Sequence, residues 1–180
     1  MTSQTSSNKI YRYKIILLGD PGVGKTSLIR RYVHNSFDTN YSSTIGVNIS
    51  SKNVVLDNKQ IQFSISDIGG NKRFASIRKS FYKDAKGCLL VCDLTRENTL
   101  EALTQWQKDI ALAVTGVNYL LIANKCDLND QRVISQTDLY NKSNELDILG
   151  HSCFITSAKT GNKVDEVFRI LAKHIVSTNH

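Results

Sequence analysis

No apolar run in this chain approaches the roughly 18 residues that span a bilayer, so no membrane-crossing helix is expected. Residues 1–8 are polar and rich in Ser, Thr and Gln, which reads as a disordered tail and not as a secretory signal. Cysteine is scarce, and Cys88, Cys92, Cys126 and Cys153 show no C-x-x-C spacing or paired histidines, so a zinc site is not expected. Cys88 and Cys92 sit in an apolar run and read as reduced core thiols, which implies a cytoplasmic, reducing setting. Repeats, low-complexity core segments and interdomain linkers are all missing. One domain over residues 10–177 is expected, with a tail at 1–9 and a short end at 178–180. The net charge of +7 favours acidic partners. The interleaved aromatics or helix-turn-helix pattern of a nucleic-acid module are absent, so no nucleic-acid partner is expected.

What the chain does have is 41% hydrophobic residues over 180 positions, enough for a full core. Strand-like runs over 13–18, 47–56, 61–66, 87–93, 119–123 and 152–156 alternate with helix-like runs over 25–34, 98–114, 136–146 and 164–176. In the second helical run Leu100, Leu103, Trp106, Ile110 and Val114 recur at three- and four-residue steps, as Val164, Val167, Phe168, Leu171 and Ile175 do in the last. Asp57-Asn58-Lys59 reads as a hairpin turn. The other strands are joined by helical crossovers and should run parallel. The predicted fold is α/β: a mostly parallel six-stranded sheet with one antiparallel edge strand and helices on both faces.

The run Gly19-Asp20-Pro21-Gly22-Val23-Gly24-Lys25-Thr26 fits G-x-x-x-x-G-K-[ST], a phosphate-binding loop. It follows the apolar Ile15-Ile16-Leu17-Leu18 and opens a helix, the context the motif requires. Glycines let successive N–H groups point at one anion, and the helix N-terminus adds partial positive charge. Lys25 supplies a full charge to β- and γ-phosphates, and the Thr26 hydroxyl is a ligand for Mg²⁺. Ligands of such sheets sit at the carboxyl ends of strands. Asp67, Asn124 and Ser157 also follow strand-like runs, so four motifs converge on one rim.

Asn124-Lys125-Cys126-Asp127 separates guanine from adenine. Guanine offers N1–H and an N2 amine on one edge, and the Asp127 carboxylate can accept from both. Adenine would set a lone pair against it. With this motif the chain resembles the Ras superfamily of small GTPases, and within it is most similar to the Rab family. Thr44-Ile45-Gly46-Val47, Lys72-Arg73-Phe74, Phe81-Tyr82-Lys83-Asp84-Ala85 and Leu90-Val91-Cys92-Asp93-Leu94-Thr95 follow Rab-type segments. The resemblance implies a GTP- and GDP-binding switch that uses Mg²⁺, hydrolyses GTP and serves vesicle traffic. It implies a nucleotide site of Asp20, Pro21, Gly22, Val23, Gly24, Lys25, Thr26 and Ser27, with Asn124 toward guanine N7 and the Lys125 stem along the base. Ser157-Ala158-Lys159 is similar to the family's S-A-K loop, where the Ala158 N–H would meet guanine O6 and Lys159 would cover the base.

Thr44 resembles the switch I threonine, a ligand for Mg²⁺ whose N–H contacts the γ-phosphate. Phe37 corresponds to an aromatic that packs on guanine, with ordinary core packing as the alternative, and Tyr41 either covers the phosphates or sits exposed. Asp67-Ile68-Gly69-Gly70 is similar to switch II: Asp67 would hold Mg²⁺ through water and the Gly70 N–H would meet the γ-phosphate. Lys25, Gly70 and Asn71 are the catalytic candidates. Loss of the γ-phosphate would release Thr44 and Gly70 together, an order–disorder switch that controls effectors. Activator and exchange-factor proteins are implied, acting on a monomer.

The chain departs from that pattern in several places. Asn71 stands where the family carries the water-positioning Gln, with its amide one methylene closer to the backbone, so slow intrinsic hydrolysis is expected. A binding module with negligible hydrolysis is the alternative. Pro21 lies mid-loop, fixing φ and removing a donor beside the γ-phosphate. Ser66 replaces a usual Trp and should alter the effector-facing apolar patch. No cysteine follows Cys153, so no lipidation motif is expected, and membrane association would be peripheral at most. The basic run Lys72, Arg73, Arg78, Lys79, Lys83 and Lys86 reads as a solvated helix face in preference to a docking face for acidic effectors or anionic lipid.

Overall fold

The structure, a computed structural model, describes residues 9–39, 43–69, 75–148 and 152–178, with only the backbone of 75–77. Six strands form one sheet in the order β2-β3-β1-β4-β5-β6. They are β1 (Ile10–Leu18), β2 (Val47–Leu56), β3 (Lys59–Ile68), β4 (Ala85–Asp93), β5 (Asn118–Asn124) and β6 (Cys153–Ile155). The β2–β3 pair is antiparallel and every other pair parallel, as the sequence predicts. The hairpin turn is Asp57-Asn58, both residues with positive φ (48° and 61°), the conformation of the two-residue turns that match strand twist.

The central strands read as unbroken apolar runs because helices cover both their faces. Side chains alternate across the sheet. Ile15 and Leu17 of β1, Leu89 and Val91 of β4, and Leu120 and Ile122 of β5 enter one core. Ile16 and Leu18, Cys88, Leu90 and Cys92, and Leu121 and Ala123 enter the other. The first core is closed by α1 (Lys25–His34) and α6 (Val164–Thr178), whose Tyr32 and Phe168 rings stack 3.9 Å apart at 5°. Such a pair adds about 0.5–1.5 kcal/mol beyond its buried area. The second core is closed by α2 (Ala75–Tyr82), α3 (Glu97–Glu101), α4 (Leu103–Ala111) and α5 (Gln136–Glu145). Ser135 caps α5 in a reciprocal box with Asp138. Cys88 and Cys92 are buried free thiols, as expected, and burial pushes both well above the ordinary thiol range.

Three differences from the sequence reading have physical causes. The run 98–114 is two helices, parted at Ala102, whose carbonyl accepts from both Gln105 and Trp106. The tighter three-residue bond interrupts the regular ladder. β1 starts at Ile10 because Ile10, Tyr11 and Arg12 pair with Gln60, Ile61 and Gln62 of β3. The basic run contains a helix, α2, but not a wholly solvated face. Lys79 and Lys83 are exposed, whereas Arg78 is 5% exposed and lies 4.4 Å over the Trp106 ring. The guanidinium stacks on the indole face, which offsets part of the cost of burying it, while its Nε and Nη1 find no hydrogen-bond partner among the described residues. Ser66 is fully buried, and its hydroxyl finds no hydrogen-bond partner among the described residues.

Candidate functional site

β1 delivers the chain to the rim at Leu18, and α1 takes it away at Lys25. Between them the turn is tight enough to need glycine. A Cβ on Gly19 would lie 2.2 Å from the Val91 carbonyl, and one on Gly24 would lie 2.2 Å from Asn124 Nδ2. Lys25 is 6% exposed and its Nζ donates to the carbonyls of Gly19 (2.7 Å) and Asp20 (3.0 Å). Burial pushes its pKa down to about 8, against the opposing pull of Asp67 and Asp20. The Asp20 carboxylate accepts from Trp106 Nε1 at 2.9 Å, and the Val23 side chain belongs to the core. Asp20 and Val23 thus shape the loop from behind.

Beside Lys25 three oxygen-bearing side chains meet. Thr26 Oγ1 donates to Asp67 Oδ2 at 2.5 Å, lies 2.8 Å from Thr44 Oγ1, and Thr44 Oγ1 lies 3.4 Å from the same carboxylate oxygen. They come from α1, the end of β3 and the segment before β2. The Gly69 N–H donates to the Gly46 carbonyl (3.0 Å), which ties the segment holding Thr44 to the one following Asp67. Asp67 Oδ1 is buried with no hydrogen-bond partner among the described residues. An orphaned carboxylate oxygen is costly, and two hydroxyls with one carboxylate are a hard-oxygen set suited to Mg²⁺, which is bound by few protein ligands and several waters. These residues fit the ion the sequence implied.

At the other end, β5 and β6 deliver the two base loops. Asn124 is buried and clasps three segments: its Nδ2 donates to the Val23 carbonyl (2.9 Å), and its Oδ1 accepts from Thr156 Oγ1 and the Ala158 N–H (both 3.2 Å). One amide hydrogen is left over for a ligand. Ser157 Oγ donates to Asp127 Oδ1 at 2.5 Å, so Ser157 orients a carboxylate that lines the cavity. Arg31 of α1 holds the same loop by its backbone, donating to the carbonyls of Ala158 (2.9 Å) and Lys159 (2.6 Å).

The phosphate loop, the two threonines of the oxygen cluster and the base loops open on one cavity of about 330 Å³, with the buried Asp67 behind the threonines. Pro21, Gly22, Gly24, Lys25, Thr26 and Ser27 line its phosphate end. Asn124, Lys125, Asp127, Ala158 and Lys159 line its base end, and Phe37 and Thr44 close the side. Tyr41, Gly70 and Asn71 lie outside the described residues. A cavity with these two ends matches a nucleoside polyphosphate, and residues 14–177 match the Ras family. The chain belongs to the Ras family. It is a small GTPase, a GTP hydrolase and nucleotide-dependent switch that takes GTP or GDP with Mg²⁺. It is 38% identical to the Ras-related protein Rab-32A of Dictyostelium discoideum, across 94% of this chain and 80% of that protein. It is 38% identical to Rab-13 of Canis lupus familiaris (91% and 80%) and 36% identical to Rab-8B of Homo sapiens (93% and 80%).

Several residues of this GTPase's site carried no signal in its sequence. Arg30 and Asp38 line the cavity as an ion pair at 2.9 Å, and Thr39, Ser43, Gly69 and Leu128 also contribute walls. Asp93, at the carboxyl end of β4, accepts from the Thr95 N–H (3.0 Å) and hydroxyl (2.7 Å), Arg96 Nε (3.0 Å) and Lys125 Nζ (2.7 Å). Burial alone would raise its pKa, but the bonds from Lys125 and Thr95 hold it below the ordinary carboxylate value. Its place at a strand end, level with Asn124 in register, was the available clue.

Proposed function

We propose that this GTPase binds GTP with its phosphates over the loop 19–26 and its guanine between Lys125, Asp127 and the 157–159 loop, and that hydrolysis releases the Thr44 and Gly69–Gly70 segments together. The observation that carries the reading is the meeting of Thr26, Thr44 and Asp67, with Asp67 Oδ1 left unpartnered, at the phosphate end of a cavity whose other end holds Asp127. Thr26 and Thr44 would hold Mg²⁺ directly and Asp67 through water. Once bound, the ion neutralises charge on the β- and γ-phosphates. Lys25 holds its ammonium at the same phosphates. Asp127 accepts from N1 and N2, with Ser157 fixing its rotamer. Asn124 has one N–H for guanine N7, and Phe37 covers an edge of the base.

Likeness to Rab proteins supports a role in vesicle traffic, with effectors, activators and exchange factors on the two switch segments. The working unit is a monomeric domain over 10–177, held at membranes peripherally. No helix among the described residues is long and apolar enough to cross one. Intrinsic hydrolysis is slow, because Asn71 replaces the glutamine that orients water. Single-turnover GTP hydrolysis tests this. Asn71→Gln should be at least tenfold faster than the parent, and equal rates would contradict the role given to position 71. A second reading, a switch with negligible turnover, is favoured by Pro21 on the cavity wall, its carbonyl held by Arg96 at 3.0 Å. Phosphate release that stays at background over several turnovers, with and without candidate activators, would support it.

A further inference from the structure

The phosphate loop and the base loop are joined by a bridge that neither motif contains. Arg96, in the turn after β4, splits its guanidinium between two acceptors. Nε donates to Asp93 Oδ2 (3.0 Å) and Nη2 to the Pro21 carbonyl (3.0 Å). Lys125 of the base loop donates to that same Asp93 oxygen at 2.7 Å. Pro21 and Lys125 both line the one cavity. We propose that Asp93 and Arg96 form a strap coupling the phosphate loop to the base loop, which makes Arg96 a positioning residue for nucleotide retention and for guanine discrimination. The proposal rests on the nucleotide-site reading above.

Three features separate the strap from an ordinary surface ion pair, worth about 0–1 kcal/mol. The Asp93 carboxylate is 1% exposed and its bonds from Thr95 fix it, so it is a rigid anchor and not a mobile partner. The guanidinium is a planar fork, so seating Nε on Asp93 sets where Nη2 falls. Proline locks φ at the residue that carries the other acceptor, which narrows the freedom of its carbonyl. Two cations share one carboxylate, so the strap has one excess positive charge beside the phosphate loop. Trp106 braces the neighbouring residue, Asp20, from the same side. The outer turn of the loop is thereby held at two successive positions by residues that follow β4. A shift of Pro21 must strain its bond to Arg96, and when the guanidinium leaves the fixed Asp93 oxygen, Lys125 no longer shares that oxygen and the base loop feels the change.

The test measures release of fluorescently labelled GDP and IDP from the Mg²⁺-loaded full chain, for the parent, Arg96→Ala and Arg96→Lys. IDP lacks the N2 amine that Asp127 accepts from. Arg96→Ala should release GDP about tenfold faster and shrink the preference for GDP over IDP by at least threefold. Arg96→Lys should do the same, because one ammonium cannot bridge both acceptors. The Arg96 side chain is 40% exposed, so its removal leaves no core cavity, and circular dichroism checks the fold. Faster release of both ligands with an unchanged ratio would overturn the coupling and leave Arg96 a local brace. Parental release rates would overturn the strap entirely. A parent chain that retains neither nucleotide would overturn the site reading itself, before any variant is compared.

Discussion

Raising the pH from 7 to 8.5 should weaken nucleotide binding about fourfold through one side chain, Lys25. Burial holds its pKa near 8 in the free protein, with Asp67 and Asp20 pulling it back up and Arg78 and Arg96 pushing it down. Phosphates beside the ammonium favour its charged form, so bound nucleotide raises the pKa and binding takes up a proton. The charged fraction of free Lys25 falls from about 0.9 at pH 7 to about 0.24 at pH 8.5, and the ratio is the predicted loss of affinity. Phosphate's own last ionisation, near about pH 6, lies below this window. Folding of the free protein responds in the opposite sense. Because the fold depresses the pKa from 10.5, the unfolded chain binds more protons between about pH 8 and 10.5, and stability rises with pH there. The full change is about 3 kcal/mol. Calorimetry of GDP binding at pH 8, in buffers of different ionisation enthalpy, should report uptake of about half a proton. No uptake, together with constant affinity between pH 7 and 8.5, would refute the burial argument.

Two further perturbations follow from contacts at the rim. Gly24→Ala puts a Cβ 2.2 Å from the Asn124 amide at φ 102°, so Asn124 must leave the Val23 carbonyl. GDP affinity should fall about a hundredfold, measured by fluorescence titration, and near-parental affinity would contradict the clasp. Asp127→Asn exchanges an acceptor for a donor toward the base while leaving an acceptor for Ser157. GDP binding should drop by at least a hundredfold and xanthosine diphosphate, whose N2 position carries a carbonyl, should gain, as competition binding would show.

The sheet was legible because its central strands are apolar on both sides and its crossovers carry helical periodicity. Leu17 and Leu18 point into opposite cores, a relation that a run of four apolar residues already implies. The phosphate and base motifs were legible because their chemistry needs fixed spacing within a loop. What escaped was what spacing cannot encode. Arg78 looks like one more surface cation until Trp106 is placed under it. Arg31 holds the 157–159 loop from 127 positions away, by backbone carbonyls that carry no sequence signal. Asp93 reads as the last residue of an apolar strand, and only pairing of β4 with β5 sets it beside Asn124. The start of β1 was missed because Ile10, Tyr11 and Arg12 are held by strand pairing, not by burial of a continuous apolar run.

If one cavity holds phosphates beside Lys25, Thr26, Thr44 and Asp67 and a guanine at Asp127, the purified protein should carry its nucleotide with it. Mass spectrometry of the nucleotide released from freshly purified, undialysed protein tests it most directly. A guanine nucleotide near one per chain is expected, with retained GTP in the fraction that slow hydrolysis leaves unspent. An adenine nucleotide in its place, or a chain that carries none and takes up neither GDP nor GTP when they are offered with Mg²⁺, would contradict it.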